Sequence, residues 1–198
     1  MTFDTLLTLL VLVAVSLFTP GPNNALLANS GATFGLRRSW PHILGVAMGF
    51  PLMIMLVGFF LGEAFQSSAL LRETLRWLGA AIMLWLAWKI ASSGGMSGTG
   101  AKARPFTFLQ AVAFQWVNPK GWALCIGITA QFLRPEAPVS SALIIGAACL
   151  AVGLCSATTW ALIGRAITRW LTEAHHLRRF NIAMAAIIVI CVGLLFAG

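Results

Sequence analysis

Four stretches of this 198-residue chain carry no Asp, Glu, Lys or Arg: residues 5–36, 39–62, 137–164 and 180–198, which are 32, 24, 28 and 19 residues long. A helix needs about 20 mainly apolar residues, each rising roughly 1.5 Å, to cross a bilayer core. All four runs approach or exceed that length. Only 9% of the residues are charged and 59% are hydrophobic, whereas a soluble domain is about 25% charged. A water-soluble fold is excluded, and the remaining length leaves no room for a separate soluble domain of about 50 residues or more. Two weaker segments complete six expected spans. Residues 70–90 have Arg72, Glu73 and Arg76 at one mouth and Lys89 at the other, where long basic side chains can snorkel to the interface. Residues 105–133 are interrupted by one charge, Lys120.

The net charge of +8 would suggest a nucleic-acid partner in a soluble protein. Here the positions matter more than the sum. Arg37 and Arg38, then Lys89, Lys102 and Arg104, then Arg165, Arg169, Arg178 and Arg179 fall in the first, third and fifth connections; Arg72, Arg76 and Arg134 fall in the second and fourth. The positive-inside rule makes the odd connections cytoplasmic and puts both termini outside. The basic residues then read as topology signal and lipid attraction, with no nucleic-acid role.

The opening MTFDTLL has Asp4 where a secretory signal would be basic, so it reads as part of a retained first span. Trp40, Trp85, Trp88 and Trp170 lie within about a turn of basic residues, as interfacial anchors do. Cys125, Cys149, Cys155 and Cys191 lie inside apolar runs without nearby His, Asp or Glu. They are expected to be small buried residues, with no metal, cofactor or disulfide.

Two spans are flawed near their middles. The first contains Thr19, Pro20, Gly21, Pro22, Asn23 and Asn24; the fourth contains Gln115, Trp116, Val117, Asn118, Pro119, Lys120 and Gly121. Proline has no N–H and clashes with the preceding turn, so each stretch is expected to kink or unwind its helix. The carbonyls of Ser16, Phe18 and Gln115 would lose their usual donors. Such groups cost several kcal/mol in hydrocarbon unless protein, water or a ligand satisfies them, so the breaks should line a cavity or an interface. Asn118 before Pro119 is a candidate N-cap, and Asn23 or Asn24 a candidate cap for the resumed first span. A half-helix starting at mid-membrane aims N–H groups and a positive dipole end inward, suited to an anion. Freed carbonyls on the preceding half suit an ammonium. Together they suit an amino-acid zwitterion.

The flaws occupy matching places if spans one to three form one repeat (about 1–91), followed by a Ser/Gly-rich linker (about 92–104) and a second repeat (about 105–198). Three spans are an odd number, so the second repeat is inverted. The expected fold is therefore an all-α polytopic membrane protein of six transmembrane helices in two inverted three-helix repeats, forming one transmembrane domain with spans 1 and 4 broken. Interrupted spans at corresponding positions of inverted halves point to a midplane transport site; ordinary proline kinks are the plainer alternative.

Lys120 costs about 2.5–3.5 kcal/mol at a helix centre, and no acidic residue lies mid-span to pair with it. Backbone carbonyls, Asn or Gln side chains, or an anionic ligand group are its expected partners, unless the span shifts and the lysine snorkels. His42, after Pro41, reads as an interfacial histidine with a proton relay as the alternative; His175 and His176 are weak as a metal pair. Ser156, Thr158 and Thr159 can line a path or bond neighbouring backbone. Gly31 with Gly35, Gly45 with Gly49, and Gly58 with Gly62 permit close helix packing, within one chain or across a homodimer. Gly95-Met96-Ser97-Gly98 superficially matches a membrane serine protease, but a flexible linker offers no oriented base. No phosphate-loop pattern is present.

With TPGPNN in span one, GVAMGF in span two, WLGAAIMLWLAWKI in span three and NPKG in span four, the chain resembles the LysE superfamily of amino-acid exporters, most nearly the RhtB (homoserine/threonine resistance) branch. PGPNN, FQWVN and the third-span run are similar to the cysteine/O-acetylserine exporters. The resemblance covers essentially the whole chain. It implies an inner-membrane secondary carrier of amino acids or their relatives, coupled to proton antiport and forming a dimer. By motif match it places Pro20, Gly21, Pro22, Asn23, Asn24, Asn118, Pro119 and Lys120 at the translocation site; Gln115 joins them by position. The residues themselves add that mid-span acids are absent, which favours neutral over basic amino acids. Lys120, Asp4 and His42 are the titratable candidates for coupling. An intramembrane enzyme would need a nucleophile or acid/base pair at depth, and the sequence offers a lysine without a partner. A non-catalytic assembly protein would leave the two breaks unexplained.

Overall fold

The computed structural model describes residues 1–57, 69–92, 104–134, 136–170 and 174–196. Residues 93–103 of the expected linker and the Gly58–Gly62 pair lie outside the described residues. Seven α-helices and no strand occur among the described residues: α1 Phe3–Phe18, α2 Pro22–Leu56, α3 Ala69–Ser92, α4 Phe108–Gln115, α5 Pro119–Phe132, α6 Pro138–Trp170 and α7 Ala174–Phe196. By length and composition alone, Pro22–Leu56 taken as one run and residues Pro138–Ile167 of α6 are long and apolar enough to cross a membrane, although Gly35 divides the first of these.

Both proline clusters end a helix and start another. Helix α1 opens with the Thr2 side chain accepting from the Thr5 N–H and stops where Thr19 turns extended. Pro20 cannot donate and Gly21 is fully extended, so the chain resumes as α2 with Pro22 in its first turn. Between α4 and α5, Trp116, Val117 and Asn118 make tighter i→i+3 bonds to Ala113, Phe114 and Gln115 before Pro119 restarts the helix.

Helix α2 is a helical hairpin. Gly35 adopts φ 73°, ψ 168°, a combination essentially confined to glycine, and the Ser39 hydroxyl donates to the Gly35 carbonyl. Residues twelve apart on one continuous helix would be about 18 Å apart. Ser30 and His42 instead lie within 2.8 Å, so the arm 36–56 folds back beside the arm 22–34. The expected first connection is thus a single-residue reversal.

The two arms of α2 enter different apolar clusters, the second arm the first of them and the first arm the other. Leu9 and Val13 of α1, Phe50, Met53 and Ile54 of α2, Trp122, Cys125 and Ile128 of α5 and Ile145 and Cys149 of α6 form one. Ala25 and Leu26 of α2, Met83 and Leu86 of α3, Phe114 of α4 and Ile188 and Val192 of α7 form the other. The most extensive helix pair is α2 with α6. Its closest point is reciprocal: a Cβ on Gly31 would overlap the carbonyl of Ala161, and one on Gly164 would overlap the carbonyl of Ala28. Gly45 and Gly49 lie against α4, where an added Cβ on Gly49 would stand 2.9 Å from Val112 Cα and 3.0 Å from Gln115 Cγ.

The outer surface is apolar. Val11, Val15, Trp77, Trp85, Trp88, Leu109, Leu143 and Ile190 are exposed, as side chains facing lipid would be. Cys155 is exposed too, against the expectation of burial, because it lies on the outer face of α6; Cys125 and Cys149 are buried, and all three are free thiols.

Candidate functional site

The two breaks meet. Asn23, one residue into α2, donates through its side-chain amide to the Gln115 side-chain oxygen at 2.8 Å, and Gln115 donates to the Ala111 carbonyl at 2.8 Å. Lys120, one residue into α5, reaches back to the other break, where its ammonium donates to the Thr19 carbonyl at 2.7 Å and the Pro20 carbonyl at 3.4 Å. The ammonium therefore sits at the carbonyl end of α1, where the helix dipole favours a cation. Gly21 lets it pass: an added Cβ there would lie 3.0 Å from Lys120 Cδ and 3.2 Å from Nζ.

The helix starts are capped differently. Asn118 caps α5, its side-chain oxygen accepting the Lys120 N–H at 3.2 Å. At the start of α2 the N-cap is Gly21, with no side-chain bond, instead of Asn23 or Asn24. Asn24 turns back toward the end of α1 and donates to the Leu17 carbonyl at 2.9 Å and the Thr19 carbonyl at 2.8 Å. Its amide has two donors, and the unwound carbonyls are the stronger need. The Ser156 hydroxyl on α6 also donates to Leu17, at 2.7 Å. The freed carbonyls are thus those of Leu17, Thr19 and Pro20; the Gln115 carbonyl accepts the Asn118 N–H at 3.3 Å.

These groups line a cavity of about 40 Å³, room for roughly three or four waters at ~10–15 Å³ each. Its polar wall is Ser16, Gly21, Asn23, Asn24, Gln115, Asn118, Lys120 and Ser156; its apolar wall is Val46, Ala47, Phe50, Leu124, Cys149, Gly153 and Ala157. Gln115 and Asn118 are buried, and Asn24 is 6% exposed. Pro20, Pro22 and Pro119 shape the breaks without being wall residues, while Gly45 and Gly49 hold α2 against α4 beside it. Cys149, Gly153 and Ala157 were not anticipated as wall residues, although small residues every fourth position on α6 were a signal for a concave face.

Chemically, the site brings together the Lys120 ammonium, two helix N-termini, side-chain amides and the main-chain carbonyls at the end of α1. The aliphatic and Phe50 wall is neutral, and among the described residues no acidic side chain lines the cavity. Asn24→Ala removes both donors to the α1 end, each worth about 0.5–1.5 kcal/mol net. Its thermal unfolding in detergent is expected to fall in temperature relative to wild type, and an unchanged midpoint would show that Ser156 and Lys120 suffice there.

His42 is 1% exposed and so is covered by protein, one turn from the exposed Arg37 and Arg38. The reversal at Gly35 brings Ser30 over one ring nitrogen, and Phe106 stacks on the ring at 5.1 Å. The Thr159 hydroxyl bonds the Cys155 carbonyl of its own helix.

An all-helical body with an apolar outer surface and a polar cavity between paired helix breaks defines a membrane transport protein. Residues 14–198 match the family model described as LysE type translocator, and the chain belongs to that family. It is 32% identical over 183 residues to the cysteine/O-acetylserine efflux protein of Escherichia coli (strain K12), covering 89% of this chain and 90% of the relative. It is 33% identical, over the same extent, to the protein of that name from Salmonella typhimurium. No solved structure gives a significant match. The protein is a transmembrane transporter of the LysE family and not an enzyme.

Proposed function

We propose that the protein exports neutral amino acids or close derivatives, of the cysteine and O-acetylserine kind, across the cytoplasmic membrane by proton-coupled alternating access. The carrying observation is the Lys120 ammonium, held 2.7 Å from the Thr19 carbonyl inside the cavity between the two breaks. A substrate carboxylate takes Lys120 and the α2 and α5 N-termini as partners, while its ammonium takes the carbonyls of Thr19 and Pro20 that Lys120 otherwise holds. The neutral wall around Cys149 and Ala157 accepts a small uncharged side chain. A basic side chain would find no carboxylate there.

In this reading α1 with the first arm of α2 forms span one, and α4 with α5 forms span four. Each three-span repeat then begins with its broken helix, the repeats are inverted, and both termini face outward. The chain can also pair as a homodimer through its lipid-facing surface. Rocking of the repeats about the α2–α6 contact opens the cavity to each side in turn. Counterflow of labelled cysteine and O-acetylserine into proteoliposomes preloaded with unlabelled substrate tests the carrier, and repetition under an imposed pH gradient tests the coupling. Saturable exchange is expected, with uphill accumulation only under the gradient. Absence of exchange for every amino acid tried would end the carrier reading.

A further inference from the structure

The cavity wall does not account for His42. The ring is buried, bonded to the buried Ser30 hydroxyl at 2.8 Å across the two arms of α2 and stacked on Phe106. A titratable side chain inside a membrane-spanning bundle is a functional candidate by default, because it is costly to keep there.

Its position connects two places. Val46 and Ala47, one turn further along the same arm, line the cavity. Arg37 and Arg38, one turn in the other direction, are exposed at the end of the hairpin. His42 therefore lies about 6 Å of helix from each, between the cavity and the basic face. On the opposite arm Ser30 stands two turns from Asn23 on the same helix face, so both arms run from cavity to basic face past this pair. Among the described side chains, the charged groups on the surrounding elements are Arg37 and Arg38 on α2, Arg104 before α4, Arg165 on α6 and Arg178 and Arg179 on α7, all exposed; Glu73 at the far end of α3 is exposed, and His176 on α7 is half-buried. Among the described residues, no carboxylate lies on α2, α4, α6 or α7. The ring's partner is a hydroxyl.

We propose that His42, held by Ser30, carries the exchanged proton. This rests on the antiport reading above and names its residue. A hydroxyl both donates and accepts, so the contact serves either protonation state: Ser30 donates to a bare Nδ1 on the neutral ring and accepts from Nδ1–H on the charged one. In the outward-open arrangement the ring takes one proton from water. In the inward-open arrangement it gives that proton to the cytoplasmic side, and the pair returns to its starting state.

The test uses the whole carrier in proteoliposomes, with labelled O-acetylserine as the probe. For His42→Gln, counterflow without a gradient is expected to persist, while uphill accumulation under a pH gradient is lost and the pH dependence of exchange flattens. For Ser30→Ala, coupling is expected to remain with its pH midpoint moved, which a purely structural role would not do. Gradient-driven accumulation by His42→Gln at the wild-type level overturns the proposal. So does loss of counterflow in His42→Gln combined with an unmoved midpoint in Ser30→Ala. Failure of wild-type counterflow rejects the carrier reading itself, whereas intact coupling in His42→Gln rejects this assignment alone.

Discussion

Replacing Lys120 with Met should reduce amino-acid exchange by at least about 10- to 100-fold while leaving the protein inserted in the membrane at wild-type amounts. Methionine keeps most of the stem, so the loss isolates the ammonium. That ammonium donates to the carbonyls of Thr19 and Pro20, and a hydrogen bond to a charged group is worth about 1.5–3 kcal/mol. A factor of ten in rate corresponds to about 1.36 kcal/mol, which gives the expected range. Lys120→Ala should behave at least as badly, since it also empties the space beside Gly21. Counterflow normalised to protein in the vesicle checks both; wild-type exchange by a well-inserted variant would show that the lysine only braces the break.

The second large effect concerns stability. Gly31→Ala or Gly164→Ala places a methyl group onto a backbone carbonyl of the facing helix, Ala161 in one case and Ala28 in the other. A flexible side chain can move aside, but a helical backbone cannot, so α2 and α6 must separate along the pair's whole contact. Overpacking of a core costs about 1–3 kcal/mol and sometimes more, and a domain of this size loses roughly 2–4 °C in Tm per kcal/mol. Each variant should lower the unfolding temperature in detergent by several degrees. Gly127→Ala on α5 is the control, because an added Cβ there meets nothing within 4 Å; it should be neutral. Equal midpoints for Gly31→Ala and Gly127→Ala would show that the α2–α6 crossing can relax at no cost.

The sequence made the helix breaks legible because proline's missing N–H is a local fact. Pro20, Pro22 and Pro119 interrupt their helices whatever surrounds them, and Asn118 next to Pro119 carries its cap in two adjacent letters. What failed was whatever depended on a distant partner. Asn24 looked like a cap for the resumed helix, but the carbonyls of Leu17 and Thr19 lay in reach and took its amide. The cover of His42 by Ser30 and Phe106 depends on the reversal at Gly35 and on a ring 64 residues away, and local letters carry neither. Gly31 packs closely against a neighbouring helix, as its small size suggests, but Gly35, four residues on, makes the hairpin instead. The apolar cavity wall of Phe50, Cys149 and Ala157 was silent for the same reason: such residues look alike in a core and in a pocket.

The central claim is that the cavity between the two breaks binds the substrate. Equilibrium binding of labelled O-acetylserine to the purified carrier tests it most directly, comparing wild type with Gln115→Leu, which breaks the Asn23 link, and Lys120→Met, which removes the ammonium. Saturable binding by wild type and its loss in both variants are expected, with Gly127→Ala unaffected. Wild-type binding retained by both variants would contradict it, placing the substrate elsewhere in the protein.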